Sequence, residues 1–193
     1  MTQAPDDRAI QDILAFWFAD ETKERWYDST PAFDQTCCER FGILVDRAAN
    51  DQLSHWADSA AGALALCLLL DQMPRNLFRG SPRAFATDAK AVDVAEKAIA
   101  KGYDQQLHEE RRKFLYLPFM HSEVLVEQER SVALSRALGD ENTLSYALEH
   151  ADIIKRFGRF PHRNAILGRK STVEEVAFLK DGARDYGQSS QTT

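Results

Sequence analysis

Cysteine is too scarce and too poorly placed to staple this chain. Its 193 residues hold three, Cys37, Cys38 and Cys67. The count is odd, two are adjacent, and no C-x-x-C spacing occurs. A disulfide framework and a cysteine zinc site are both disfavoured, and a reducing, cytoplasmic compartment is expected. Long apolar runs are missing too. The longest, residues 63–70, falls far short of the ~18 residues of a membrane span. The N-terminus, Met-Thr-Gln-Ala-Pro-Asp-Asp, is polar and acidic, unlike a secretory signal. No segment alternates apolar and polar residues long enough to predict a strand. G-x-G-x-x-G, G-x-S-x-G, Walker and H-E-x-x-H patterns are all absent, so no cofactor and no metal is expected. Positive charge is in deficit, 24 Lys and Arg against 30 Asp and Glu, for a net charge of −6. That balance argues against nucleic acid or a membrane surface as a partner.

What is present is helical periodicity. Ile10, Ile13, Leu14, Trp17 and Phe18 stand at i, i+3, i+4, i+7 and i+8, behind Asp6 and Asp7 as candidate caps. Phe33, Cys37, Phe41, Leu44 and Ala48 repeat the spacing, with Thr30 as N-cap and Pro31 at the first helical position. Residues 60–73 are apolar nearly all round, which predicts a central buried helix that Pro74 ends. Further helices are expected from Ser81-Pro82 to Gly102, from His108 to a stop before Pro118, and from Met120 to Gly139. Two more are expected from an Asn142 cap to Gly158 and, briefly, from Pro161 to Gly168. Thr172 and Glu175 form a capping box for a last helix over residues 173–180. The predicted class is all-α, an irregular array of antiparallel helix pairs in a single domain over residues 1–193. Flexible tails are expected at 1–5 and 187–193.

Three stretches are not ordinary helix filler. They are Leu70-Asp71-Gln72-Met73-Pro74-Arg75-Asn76 with Arg79-Gly80, Phe114 to Glu123, and Arg156-Phe157-Gly158-Arg159-Phe160-Pro161-His162-Arg163-Asn164 with Leu167-Gly168-Arg169. Each sets Pro beside apolar residues and then delivers a polar cluster, which is how a turn holds donors in fixed positions. Between Asp152 and Glu174 there is no acidic residue, while Lys155, Arg156, Arg159, His162, Arg163, Arg169 and Lys170 fall inside. This reads as a local positive field. A helix opening at Pro161 would add free N–H groups for an anion. The competing reading pairs these arginines with Asp71 and Glu123 or with helix-end carbonyls. His121 is read either as an acid/base group or as a core histidine bonded to Glu123. Trp17 is assigned to the core, and Trp26 to the rim of an opening.

Phe16-Trp17-Phe18, Leu69 to Asn76, Pro118 to Glu123 and Arg156 to Asn164 together resemble an uncharacterised family, domain-of-unknown-function family 924. The resemblance spans about Ile10 to Leu179. Met73 stands where the pattern has Phe. The resemblance implies an all-helical, tetratricopeptide-repeat-like α/α superhelix and no known activity. Asp71, Arg75, Asn76, His121, Glu123, Arg159, His162, Arg163 and Asn164 are expected to meet in one cleft. Three readings stay open. The first is a scaffold whose pocket binds an anionic small molecule or a peptide carboxylate. The second is an enzyme using His121, Glu123 and His162 as acid/base groups. The third is a structural protein whose motifs lock helix turns.

Overall fold

The computed structural model describes residues 5–181, and the tails expected at either end lie outside these apart from Pro5. Among the described residues there is no strand, and the chain is all-α. Helix α1 (Pro5–Trp17) and the single turn α2 (Asp20–Lys23) lead into α3 (Pro31–Ala49). The Thr30 hydroxyl accepts from Phe33 N–H and Pro31 takes the first helical position, as expected. Asp6 and Asp7 lie within the first turn of α1 and are not its caps.

The next helix does not stop at Pro74. It starts as α4 (Ala60–Cys67), widens into a π-helical turn over Leu68–Gln72, and continues as α5 (Met73–Leu77). The wide turn lets Met73 N–H reach back to Leu68 O, so the helix passes the proline. Proline supplies no N–H to the carbonyls a turn behind it. The Leu70 carbonyl, four residues back, accepts instead from the Thr87 hydroxyl at 2.6 Å. Ala63 to Leu70 are all 3% exposed or less, so this segment is the centre of the main core. Its start is set by a close approach. A Cβ at Gly62 would lie 2.1 Å from the Trp56 carbonyl oxygen, so no larger residue fits there.

A 3-10 turn (Pro82–Ala84) precedes α6 (Asp88–Ala100). Helix α7 (Glu109–His121) runs through Pro118 where a stop was expected, and the expected break falls later. The chain leaves the helix at Ser122 and re-enters at α8 (Leu125–Leu138), so His121 ends one helix and Glu123 sits in the link. Helix α9 (Glu141–Phe157) is capped by Asp140, not Asn142: the carboxylate accepts from Asn142 N–H and Thr143 N–H. Asp140 precedes the first turn by the right spacing, and Asn142 already lies inside it. The helix expected from Pro161 is only a 3-10 turn (Pro161–Arg163), followed by turns to α10 (Val173–Lys180), whose Thr172/Glu175 capping box is present.

Helices α4, α6, α7, α8 and α9 pack each on the next, and α1 and α3 close over α4 and α5. A smaller cluster of Ile153, Ile154 and Phe160, with Phe157 and Phe178, seats the C-terminal turns on α9. No helix among the described residues is long and apolar enough to cross a membrane. All three cysteines are free. Burial pushes the Cys37 thiol up to about 12, which leaves it inert as a nucleophile.

The Pro74 bypass predicts an energetic coupling. Thr87→Val strands the buried Leu70 carbonyl and should cost about 1–3 kcal/mol in urea denaturation. In a Pro74→Ala background the restored N–H offers that carbonyl a partner, so the same change should cost measurably less. Equal costs in both backgrounds would refute the bypass.

Candidate functional site

The π turn does more than pass a proline. It places Asp71, a carboxylate with 0% exposure, against the end of α7. A buried charge is tolerated only when it is paired and hydrogen-bonded. Asp71 Oδ1 lies 2.7 Å from His121 Nδ1 and 3.1 Å from Arg75 Nη1, and Oδ2 accepts from the Gln72 amide. Burial works against the Asp71 carboxylate, but Arg75, His121 and Gln72 outweigh it and hold its pKa well below the usual carboxylate range.

Arg75 extends this network to a residue the sequence did not single out. Its Nη1 donates to the Asp71 carbonyl at 2.6 Å, and Nη1 and Nη2 form a fork on the Asp88 carboxylate at 2.9 and 3.0 Å. Arg163, from the distant 3-10 turn, meets the same carboxylate at 3.1 Å and donates to the His121 carbonyl at 2.9 Å. Its guanidinium lies 4.5 Å from the ring centroids of both Phe85 and Phe160, and its buried Nε has no partner. Asp88 thus joins two arginines of separate segments. A second carboxylate, Asp34, accepts from Asn76, Ser29 and Arg79 at 2.8, 2.6 and 2.9 Å.

These groups wall a cavity of about 410 Å³. Its polar lining includes Gln72, Arg75, Asn76, Arg79, His121, His150, His162 and Arg163. Trp26, Tyr27, Phe85 and Tyr146 line it with rings, and Leu117 and Met120 supply apolar floor. Trp26 is fixed by its indole N–H on the Trp17 carbonyl at 3.0 Å, at the opening where the sequence reading put it. Among the described residues no carboxylate belongs to the lining: Asp34, Asp71 and Asp88 stand behind the arginines. The described residues of the cavity wall therefore carry positive charge, although the protein as a whole is acidic.

Five of the nine residues expected to meet, Arg75, Asn76, His121, His162 and Arg163, line this cavity, and Asp71 lies directly behind them. Glu123, Arg159 and Asn164 do not. Glu123 grips Arg169 through both oxygens at 2.6 and 2.9 Å and accepts from Phe160 N–H. Arg159 forks onto Glu175 at 2.6 and 2.8 Å, and the Asn164 amide reaches the same carboxylate at 3.3 Å. They form a clamp that fixes the C-terminal turns. The positive field expected between Asp152 and Glu174 is cancelled in space: Arg156 pairs with Glu174, Arg159 with Glu175, Arg163 with Asp88 and Arg169 with Glu123. The 3-10 turn offers no row of free N–H groups, since Arg163 and Asn164 N–H bond Phe160 and Pro161 carbonyls. His121 bonds Asp71 rather than Glu123.

His150 and Asp88 are the residues the sequence reading underweighted. Neither is singled out in the sequence, and Asp88 reads as any acidic residue in a first helical turn. His150 Nδ1 lies 2.8 Å from the Tyr146 carbonyl, and its ring packs on Phe160. Burial, with His121 and the arginines nearby, brings its pKa down to about 3.

The chain matches the model of a family described as bacterial protein of unknown function (DUF924) over residues 13–183, and it belongs to that family. It is similar to the solved structure of a protein of unknown function from Agrobacterium tumefaciens. The two are 43% identical, with a TM-score of 0.87 over 91% of this chain and 99% of the other. No curated protein matches it.

Two outcomes follow from the charge network. Asp88→Ala leaves two buried guanidiniums without their shared carboxylate and should cost about 3–5 kcal/mol by chemical denaturation. The second concerns acid. His150 is neutral when folded, with a pKa of about 3 against 6.5 for a free histidine. The unfolded chain therefore binds a proton that the native state refuses. Stability is full above pH 6.5 and declines as pH falls toward 3. His121 is shifted in the same direction. Denaturation free energy should fall as pH drops from 6.5 toward about 5.5, still above the free Glu value of 4.5, and His150→Gln should make that decline shallower.

Proposed function

We propose that this DUF924 protein binds a small molecule bearing a carboxylate or phosphate group in the α5–α7–α9 cavity. The observation that carries the reading is the arrangement of charge: arginines in the wall, their carboxylates behind it. Arginine has five N–H donors. Arg75 uses three in the bonds described above and Arg163 two, so each keeps donors beyond those bonds. Fixed forks of this kind suit carboxylate and phosphate oxygens. A volume of about 410 Å³ fits a small molecule better than a folded partner. The aromatic walls add apolar surface for the remainder of such a ligand. A peptide carboxylate would have to enter by its terminal residue alone.

Thermal melting with added phosphate, sulfate, succinate or glutarate tests this. The wild type should gain stability, by about 2.7 kcal/mol at a hundredfold excess over Kd. Arg163→Ala and Arg75→Lys should lose that response, the second because an ammonium cannot reproduce the fork. A wild-type melting temperature unmoved by all four anions would end the anion reading. Variants that melt lower yet keep the full anion response would show the arginines to be purely structural.

A further inference from the structure

A carboxylate can only accept, so the 2.7 Å contact between Asp71 Oδ1 and His121 Nδ1 requires the proton on Nδ1. The other ring nitrogen then carries a lone pair. His121 lines the cavity with a side chain 17% exposed, and no described bond engages its Nε2. A base is therefore held, in a fixed tautomer, with its lone pair on the side away from Asp71. Building on the anion pocket proposed above, we infer that this is a hydrolytic site: His121 removes a proton from a water that attacks the ester carbonyl of an anionic substrate.

The surroundings suit that role from each packed element. Asp71 in the π turn orients the ring and stabilises the imidazolium that forms during reaction. Arg75 on α5 lies 3.1 Å from the same Asp71 oxygen, and Arg163 binds the His121 carbonyl. Asp88 on α6 ties the two arginines together, and the neutral His150 ring on α9 lies 6.3 Å away. Burial, helped by Arg75, pulls the His121 pKa below the ordinary histidine value despite Asp71, so the lone pair is present at neutral pH. Negative charge that develops on the attacked carbonyl oxygen faces a wall already carrying guanidinium donors. The nucleophile in this scheme is water, since no described bond sets a hydroxyl or thiol on Nε2.

The step balances without a further reagent. Nε2 takes one proton from water as its oxygen bonds to the carbonyl carbon. The tetrahedral oxyanion reforms the carbonyl and breaks the bond to the alkoxy oxygen. The imidazolium returns its proton to that leaving oxygen, yielding an acid, an alcohol and the neutral base.

The mono-4-nitrophenyl esters of succinate and glutarate test it, with 4-nitrophenyl acetate as the uncharged control. Wild type should hydrolyse the two anionic esters faster than the control. His121→Gln should lower kcat by about 100-fold or more, a typical share for a general base, with KM and the succinate-dependent rise in melting temperature retained. That retained rise also shows the variant is folded. The wild-type kcat/KM should rise with pH through one ionisation below 6.5. Asp71→Asn, which removes the charge behind the ring, should move this ionisation lower. Diethyl pyrocarbonate should carbethoxylate His121 at Nε2, and succinate should block it. Equal turnover by wild type and His121→Gln on every ester overturns the inference, as does a His121 that stays unmodified while exposed His108 reacts. Those failures leave the anion pocket standing if succinate still raises the melting temperature. Loss of that rise in the wild type removes both.

Discussion

A carboxylate sealed from water in the middle of the core helix is the constraint around which the rest is arranged. Asp71 sits among Leu68, Leu69 and Leu70, where a leucine would be the expected neighbour. Its charge is tolerable only because Arg75, His121 and Gln72 converge on it. Each of these consumes a structural decision elsewhere. Arg75 needs the helix to continue past Pro74, which needs the π turn and the Thr87 hydroxyl. His121 needs α7 to run through Pro118 and end where it does. Removing the carboxylate would leave the turn, the arginine and the helix end without a common reason for their positions.

Two ionic assemblies lie around that centre. One surrounds the cavity, with Asp71, Asp88 and Asp34 behind Arg75, Arg163 and Arg79. The other, Glu123 with Arg169 and Glu175 with Arg159, holds the C-terminal turns against α9. Phe160 belongs to both: its N–H and carbonyl are gripped by Glu123 and Arg169, and its ring supports Arg163 and His150. The clamp therefore positions the cavity wall without contributing a group to it.

The helices were legible in the sequence because periodicity, caps and glycine stops agree locally, as at Thr30-Pro31, Thr172/Glu175 and Gly158. The larger errors fell at prolines 74, 118 and 161, and smaller ones at the Asp6/Asp7 and Asn142 caps and at Pro82, where a 3-10 turn stands before α6. Pro74 is tolerated through a hydroxyl 13 residues later, and no local pattern announces that. The site was legible as a set of unusual segments but not as a geometry. Composition separates acids from bases along the chain, so residues 153–173 looked cationic, while folding brings an acid to each of four arginines there. Asp88 was invisible for the same reason: its two partners are 13 and 75 residues away, and its own surroundings read as an ordinary helix start.

The bridge from Asp88 to Arg163 also orders events in time. Synthesis delivers Asp71, Arg75 and Asp88 long before Arg163, which lies 75 residues beyond Asp88. While the chain is still on the ribosome, α4 to α6 can pack and the Arg75 fork can close, but the cavity lacks the wall that the last turns supply. A chain that has reached only α6 thus holds Asp71, Arg75 and Asp88 with one side of the charged chamber still missing. The chamber stays open until Glu123 has met Arg169 and Arg159 has met Glu175, so that a chain halted before these pairs form lacks a complete pocket.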